Sequence, residues 1–580
     1  MWERLKGLYA QHTRRPLRVW FDTAYRVPLT GMEERTGIDP RRAEDALQFL
    51  LHSHAVTTET LGRPTPVTYA ELALVHSPEY LESLVDPRVL AEIMAVDVSD
   101  VVPDELIRTF RLGCGGTLEA ARDALKEQRP NLNLFGGFHH ARPGRGIGFC
   151  PLNDVVVAIR VLRREGFTGK VAIIDLDAHP PDGTAACLRA EDDTWQGSLS
   201  ALAWQPPPEV HEVVLPKGCD DERYLKELEL LLGQMPKAEL TFVLAGGDVL
   251  AGDRLGILGL TLGGIRKRDL AVLKALGDRA SVWLPAGGYG PAAWKVLAGT
   301  GLALAFETET EVPKGYDPLS QRFHLISKGL TAEELGSAGV ISESDFPELY
   351  GHSHKAQPRL LGFYTAQGIE LGWERYGLLE ILRRLGYRTL RVELGRRGEA
   401  DQVRLFGSDV DTQHEHVLVE LALQRKTIGE GEFLFVNWLS LRHPRAKFSD
   451  KRPQLPGQDV PGLGLAREAS LMIALVAERL ELDGVAFCPS WYHMAFAARR
   501  TTRFVSPERQ GRFEALVRDT AKLPLLQVTN AVAQGRVLLN GQPYAWEPDE
   551  MVRWLDPKRS EADTEQVAAE RARCHFTVTR

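Results

Sequence analysis

The chain contains no CxxC pair. Its six cysteines, Cys114, Cys150, Cys187, Cys219, Cys488 and Cys574, are scattered, which excludes a zinc ribbon or a dense disulfide framework and points to reduced thiols. It also lacks any block of lysine or arginine long enough to follow a phosphate backbone, and its formal charge is −8, so direct nucleic-acid binding is disfavoured. No stretch approaches the ~18 uninterrupted apolar residues of a membrane span, and Met1 to Arg18 carries charges where a signal peptide would have an apolar core. A cytoplasmic protein that does not enter membranes is expected. Repeats and low-complexity runs are missing too. What is present suits a globular protein: 580 residues, 44% hydrophobic and 26% charged, which at roughly 100 to 200 residues per domain gives more than one core.

From about Val19 to Phe306 short apolar runs alternate with amphipathic stretches, as expected of helices covering a largely parallel sheet. Examples are Leu132 to Phe135, the helical Asp154 to Glu165, Val171 to Ile174, Leu240 to Leu244 and Ser281 to Leu284. Glu307 to Gln357 is more polar and marks a boundary or connecting region. The pattern then resumes, with strands expected at Leu360 to Tyr364, Thr389 to Leu394, Val417 to Ala422, Phe433 to Leu439 and Gly484 to Cys488. Helices are expected at Trp373 to Leu385 and Leu465 to Leu482, and Asn540-Gly541 signals a hairpin. The division is thus a first α/β domain over 1–310, a connecting region over 311–357 and a separate α+β or α/β domain over 358–580.

Four runs in the first domain end in glycines or reactive side chains: Phe135-Gly136-Gly137-Phe138-His139-His140, Asp175-Leu176-Asp177-Ala178-His179, Ala245-Gly246-Gly247-Asp248 and Ala286-Gly287-Gly288-Tyr289. Open parallel sheets bind ligands beyond the carboxyl ends of their strands, so all four clusters can share one pocket. Asp175, Asp177 and His179 are spaced by two, which puts their side chains on one face while the chain stays extended. Two carboxylates buried side by side cost several kcal/mol unless cations or hydrogen bonds compensate, and a metal ion is the simplest compensation. Asp177, His179 and Asp248 form a two-carboxylate, one-imidazole set that leaves a coordination position open, as at a catalytic zinc. The same residue types also cap helices and close turns. His139 and His140 follow two glycines, which let the backbone approach a site closely. Asp175 and Asp182 are candidate partners for the two imidazoles.

These pieces, with Gly148-Phe149-Cys150, Asn153-Asp154, Asp182-Gly183-Thr184, Gly252-Asp253-Arg254-Leu255-Gly256 and Val75-His76-Ser77-Pro78-Glu79-Tyr80-Leu81, resemble the zinc-dependent histone deacetylases and bacterial deacetylases of the arginase–deacetylase fold over residues 15–310. The resemblance implies an eight-stranded, mostly parallel sheet flanked by helices. It implies zinc on Asp177, His179 and Asp248, and hydrolysis of an acylated amine such as acetyl-lysine or an acetylpolyamine. His140 would serve as general base and then acid, and His139 with Asp175 would stabilise charge. Tyr289 would donate to the oxyanion, and Gly148, Phe149 and Trp204 would line the substrate channel. Members often bind potassium near the zinc, and backbone groups around Asp175, Asp177 and His179 would supply part of that site. The chain departs from the family pattern at Pro180-Pro181 and Pro285-Ala286, which leaves amine and acyl specificity open.

Three alternatives remain. An arginase-like dinuclear manganese site would need further bridging carboxylates, with Asp253 the nearest after Asp248. A binding or scaffold protein would use the pocket only to recognise acyl groups, with the second domain recruiting a protein partner. In the second domain, strand Phe433 to Leu439, Pro461-Gly462-Leu463-Gly464, a helix and strand Val485 to Cys488 weakly resemble the acyl-CoA-dependent N-acetyltransferases, which would make the chain bifunctional. Trp491, Tyr492 and His493 nearby are read as packing residues.

Overall fold

The computed structural model describes residues 17–189, 192–336, 358–450, 452–556, 559 and 564–579. The chain divides into two compact units, Met1–Gln321 and Arg322–Arg580. Of the stretch 311–357 expected to connect them, Pro318–Gly329 and Ala332–Gly336 are helices, and 337–357 lie outside the described residues.

In the first unit the short apolar runs become strands β1 (Arg18–Trp20), β2 (Leu61–Gly62), β3 (Pro130–Asn133), β4 (Val171–Asp175), β5 (Thr194–Ser200), β6 (Val210–Val214), β7 (Leu240–Leu244) and β8 (Ser281–Leu284). They form one sheet in the order β2-β1-β3-β8-β7-β4-β5-β6, and every pairing is parallel. Every residue of β4, β7 and β8 is buried, which explains why these strands read as continuous apolar runs rather than alternating ones. Each fully buried Val, Leu or Ile there contributes about 1.5–3 kcal/mol. Helices Pro103–Glu127, Asp154–Arg164, Leu262–Leu276 and Ala293–Phe306 lie among the flanking elements. Among the described residues no helix is long and apolar enough to cross a membrane, and the six cysteines are unpaired.

The strands β3, β8, β7 and β4 are neighbours in the sheet, so the loops that follow them open side by side on one edge. All four polar clusters sit on these loops. The sheet order therefore converges residues as far apart in the chain as His139 and Tyr289.

The second unit carries β9 (Tyr387–Arg397), β10 (Ala400–Asp409), β11 (Glu415–Ile428), β12 (Gly431–Leu441), β13 (Gly484–Phe487), β14 (Arg503–Phe504), β15 (Val537–Leu539), β16 (Gln542–Pro543), β17 (Met551–Trp554) and β18 (Phe576–Val578). Seven strands make a mixed sheet, β14-β17-β13-β12-β11-β10-β9, and β16-β15-β18 make a smaller one. The pair β12–β13 is parallel and is joined through helix Ala466–Arg479. β15 and β16 form the hairpin expected at Asn540-Gly541, where both turn residues have positive φ.

Two elements differ from expectation. Leu360 to Tyr364 is a turn closed by a single bridge, because Leu361 and Gly362 adopt positive φ and fold the apolar run back on itself. The helix expected over Trp373 to Leu385 is two helices, Ala366–Arg375 and Leu378–Arg384, separated at Gly377 with φ +81°.

Candidate active site

β4 ends at Asp175, and Asp177, Ala178 and His179 bend instead of staying extended. Each acid accepts from the backbone two residues on: Asp177 N–H donates to Asp175 Oδ1 at 3.1 Å and His179 N–H to Asp177 Oδ1 at 2.9 Å. The shared direction of Asp177 and His179 thus comes from successive side-chain turns and not from strand alternation. Asp248, on the loop after β7, is held by Ala178 N–H at 3.0 Å, and its other oxygen lies 2.8 Å from His179 Nδ1. Asp177 Oδ1 is 3.1 Å from the same nitrogen. The ligand atoms of Asp177, His179 and Asp248 all lie within 4.8 Å of one another, which among the described residues makes them a group able to hold a metal ion.

The electrostatics agree with that geometry. Burial opposes ionisation of Asp177, but His139 and His179 hold its pKa well below the ordinary carboxylate range. Burial and the neighbouring Asp177 charge push Asp248 upward. Burial alone would lower His179, yet bonds to Asp177 and Asp248 raise it to about 11. Two acids that press a proton onto one imidazole have the affinity for positive charge that a divalent cation would satisfy, and two carboxylate oxygens with one imidazole nitrogen suit zinc. Gly287 shares this core. Its N–H donates to Asp177 Oδ2 at 2.6 Å, and a Cβ at that position would lie 2.5 Å from the same oxygen.

The rings of His139 and His140 lie 4.2 Å apart between centroids, tilted by 48°, but their surroundings differ. His139 is buried, with Nδ1 at 2.9 Å from Asp175 Oδ2. Burial works against its charge, but Asp175 and Asp177 raise its pKa to about 9. His140 Nδ1 is 2.7 Å from Asp182 Oδ1, and its pKa is lowered by burial and by His139, against the pull of Asp182. Despite burial, bonds from His140 and Arg142 hold Asp182 down at about 2; Arg142 Nη2 donates to Oδ2 at 2.6 Å. The two imidazoles are thus pushed in opposite directions, His139 toward the charged form and His140 toward the neutral one.

Tyr289 is fixed through its backbone, whose N–H donates to Asp253 Oδ2 at 2.7 Å. Its ring packs 5.7 Å from Phe149 and 6.2 Å from His179. Burial and the charges of Asp177 and Asp248 push the phenol pKa well above 10, so it remains a proton donor. Asp253 Oδ1 accepts from Leu255 and Gly256 N–H groups, so this carboxylate shapes the loop and does not join the cation group.

His139, His140, Gly148, Phe149 and Tyr289 line one cavity of about 60 Å³. Trp204, expected in the channel, does not line it. Its indole nitrogen is buried without a hydrogen-bond partner among the described residues.

Three supporting residues received no role from sequence. Asp154 begins a helix, yet its carboxylate also accepts from Gly137 N–H at 2.9 Å, Phe138 N–H at 2.7 Å and Thr117 Oγ1 at 2.6 Å, which fixes the loop that leads into the histidines. Arg42 donates to Ala286 O at 2.7 Å and lines the same cavity. Arg142 supports Asp182. Of these, only Asp154 lies in a recognisable local motif, Asn153-Asp154, and that motif does not reveal its partners across the loop.

The family model for the histone deacetylase domain matches residues 37–302. An uncharacterized protein of Picosynechococcus sp. is 34% identical over 236 residues, covering 39% of this chain and 76% of that protein. Histone deacetylase 2 of Arabidopsis thaliana is 28% identical over 294 residues, covering 48% and 76%. Among solved structures, an HDAC homologue from Aquifex aeolicus is 22% identical with a TM-score of 0.41, covering 54% of this chain and 88% of that one. Through residues 37–302 the chain belongs to the histone deacetylase family.

Proposed function

We propose that residues 1–310 are a zinc-dependent deacetylase domain that hydrolyses an acetylated linear amine, such as acetyl-lysine or an acetylpolyamine. The observation that carries this is the convergence, at one sheet edge, of the Asp177–His179–Asp248 group, two imidazoles with separate carboxylate partners, and a protonated phenol. The names of relatives such as the Arabidopsis histone deacetylase support the same class of reaction.

A zinc ion bound by Asp177, His179 and Asp248 would polarise the amide carbonyl and lower the pKa of the attacking water. The chain's own groups do the rest. With its Nδ1–H engaged by Asp182, neutral His140 presents the Nε2 lone pair, which takes the proton of the attacking water and later delivers it to the departing amine nitrogen. His139, charged through Asp175, stabilises the negative charge that develops on the carbonyl oxygen. Tyr289 donates a hydrogen bond to that oxygen. Phe149 walls the narrow approach, which selects an extended aliphatic chain. Potassium would bind at backbone groups around Asp175, Asp177 and His179. A protein that only recognises acyl groups would not need both a base and a charged imidazole, and Asp253 is spent on backbone, which disfavours a second bridged metal.

The test is a panel of acyl-lysine peptides and acetylated polyamines assayed with and without chelator. Release of acetate that stops with chelator and returns with zinc is expected. Chelator-insensitive release, or none from any substrate, would refute the proposal.

A further inference from the structure

The helix Leu262–Leu276 follows the Asp248 loop, and part of its buried face is charged rather than apolar. Arg266, Arg268 and Asp269 are all fully buried. Such an ion pair is poorly explained by stability, because replacing one with well-packed apolar residues is often neutral or favourable. The arginine's contacts suggest another role. Arg268 Nε donates to Asp269 Oδ1 at 2.9 Å, while Nη1 donates to Gly246 O at 2.7 Å and Nη2 to Ala245 O at 3.3 Å. Asp269 is fixed in turn by Thr300 Oγ1 at 2.7 Å and Arg266 Nη1 at 3.5 Å.

The two clamped carbonyls belong to the residues directly after β7, two and three positions before Asp248. There is no slack at this point. A Cβ on Gly246 would lie 2.6 Å from Asp177 Cα and 2.8 Å from Asp248 Oδ1, so the backbones bearing the two acids are in contact. Asp248 itself is stretched between Ala178 N–H and His179 Nδ1. A shift of a few tenths of an ångström at residues 245–246 would pass directly to both acids.

We propose that Arg268 is a positioning residue for Asp248: its rigid fork ties the backbone ahead of that acid to the Asp269–Thr300 network and thereby sets how tightly the site holds its cation. This rests on the metal site proposed above. Lysine keeps the charge that Asp269 needs but cannot span both carbonyls.

The experiment uses the full chain stripped of metal. Zn²⁺ affinity is measured by competition with a chromophoric chelator, Co²⁺ binding by its visible absorption, and folding by thermal melting. Arg268→Lys is expected to bind Zn²⁺ roughly 10- to 100-fold more weakly and to show an altered Co²⁺ band, the range seen when partners of metal ligands are removed. Thr300→Val removes one bond to Asp269 at the far end of the network, so it should melt earlier yet weaken Zn²⁺ binding clearly less than Arg268→Lys does. If Arg268→Lys does not fold, Asp269→Asn, which keeps the side-chain shape but weakens the anchor of Arg268 Nε, takes its place, and a weaker effect in the same direction is expected. Unchanged affinity in the folded variant, or equal weakening in Thr300→Val, overturns the role of Arg268. Failure of the unmodified protein to bind Zn²⁺ overturns the metal site itself.

Discussion

Replacing Tyr289 by Phe removes one oxygen and leaves most of its surroundings in place. The N–H bond to Asp253 and the ring contacts to Phe149 and His179 do not involve the hydroxyl, so the phenyl should stay where it is and the melting temperature should change little. On the proposed mechanism, what is lost is the hydrogen-bond donor to the carbonyl oxygen as charge develops on it. Loss of one oxyanion donor in a preorganised site typically reduces kcat by about 10²–10³, or about 2.7–4 kcal/mol. Because burial, Asp177 and Asp248 hold the phenol pKa well above 10, the donor is present throughout the neutral range, and the reduction should be the same at pH 6, 7 and 8. Steady-state kinetics on the best acetylated amine should show kcat and kcat/KM falling together, with KM little changed. A raised KM with unchanged kcat would mean that the hydroxyl binds substrate uniformly. A loss below about threefold would remove Tyr289 from the oxyanion role altogether.

Gly287→Ala should abolish both zinc binding and turnover in a chain that still folds, because the added methyl would press into Asp177 Oδ2 and Asp248 Oδ2; normal zinc affinity in this variant would contradict the packing described here. In the second unit, His443 is buried with Nδ1 at 2.8 Å from the Tyr387 hydroxyl, and burial, aided by Arg452 and Arg445, lowers its pKa to about 3. Above pH ~6.5 the imidazole is neutral in both folded and unfolded chains, whereas below it the unfolded chain takes up the proton first, so stability falls as pH drops toward the folded value. The contribution is about 1.4 kcal/mol per pH unit. Urea unfolding followed by probes in the second unit should show this slope in the unmodified protein and lose it in His443→Asn; an equal slope in both would exclude His443 as the source.

Much of the first unit is legible in its sequence, because strands buried on both faces leave unbroken apolar runs that stop where the chemistry begins. β4, β7 and β8 end within a residue of where those runs end. The second unit is harder to read. β10 alternates buried and half-buried positions with Arg404, Asp401 and Gln402 among them, so it gives no run, and it goes unnoticed until its pairing with β9 and β11 is seen. Leu360 to Tyr364 has the composition of a strand but the backbone of a turn, set by positive φ at Leu361 and Gly362. At the site, the groups that would touch metal and substrate stand out as reactive residues after glycines. Those that hold them in place do not. Asp154 looks like a helix start, and Arg268 looks like one more charge on an amphipathic helix; their roles depend on backbone partners that only the assembled sheet brings near.

The most direct measurement is metal content after purification and after mutation. One zinc ion per chain is predicted for the unmodified protein, with loss of that ion and of deacetylation together in the Asp177→Asn, Asp248→Asn double variant. Two manganese ions per chain, or a double variant that keeps its metal and its activity, would contradict the assignment of Asp177, His179 and Asp248 as the ligands of one catalytic cation.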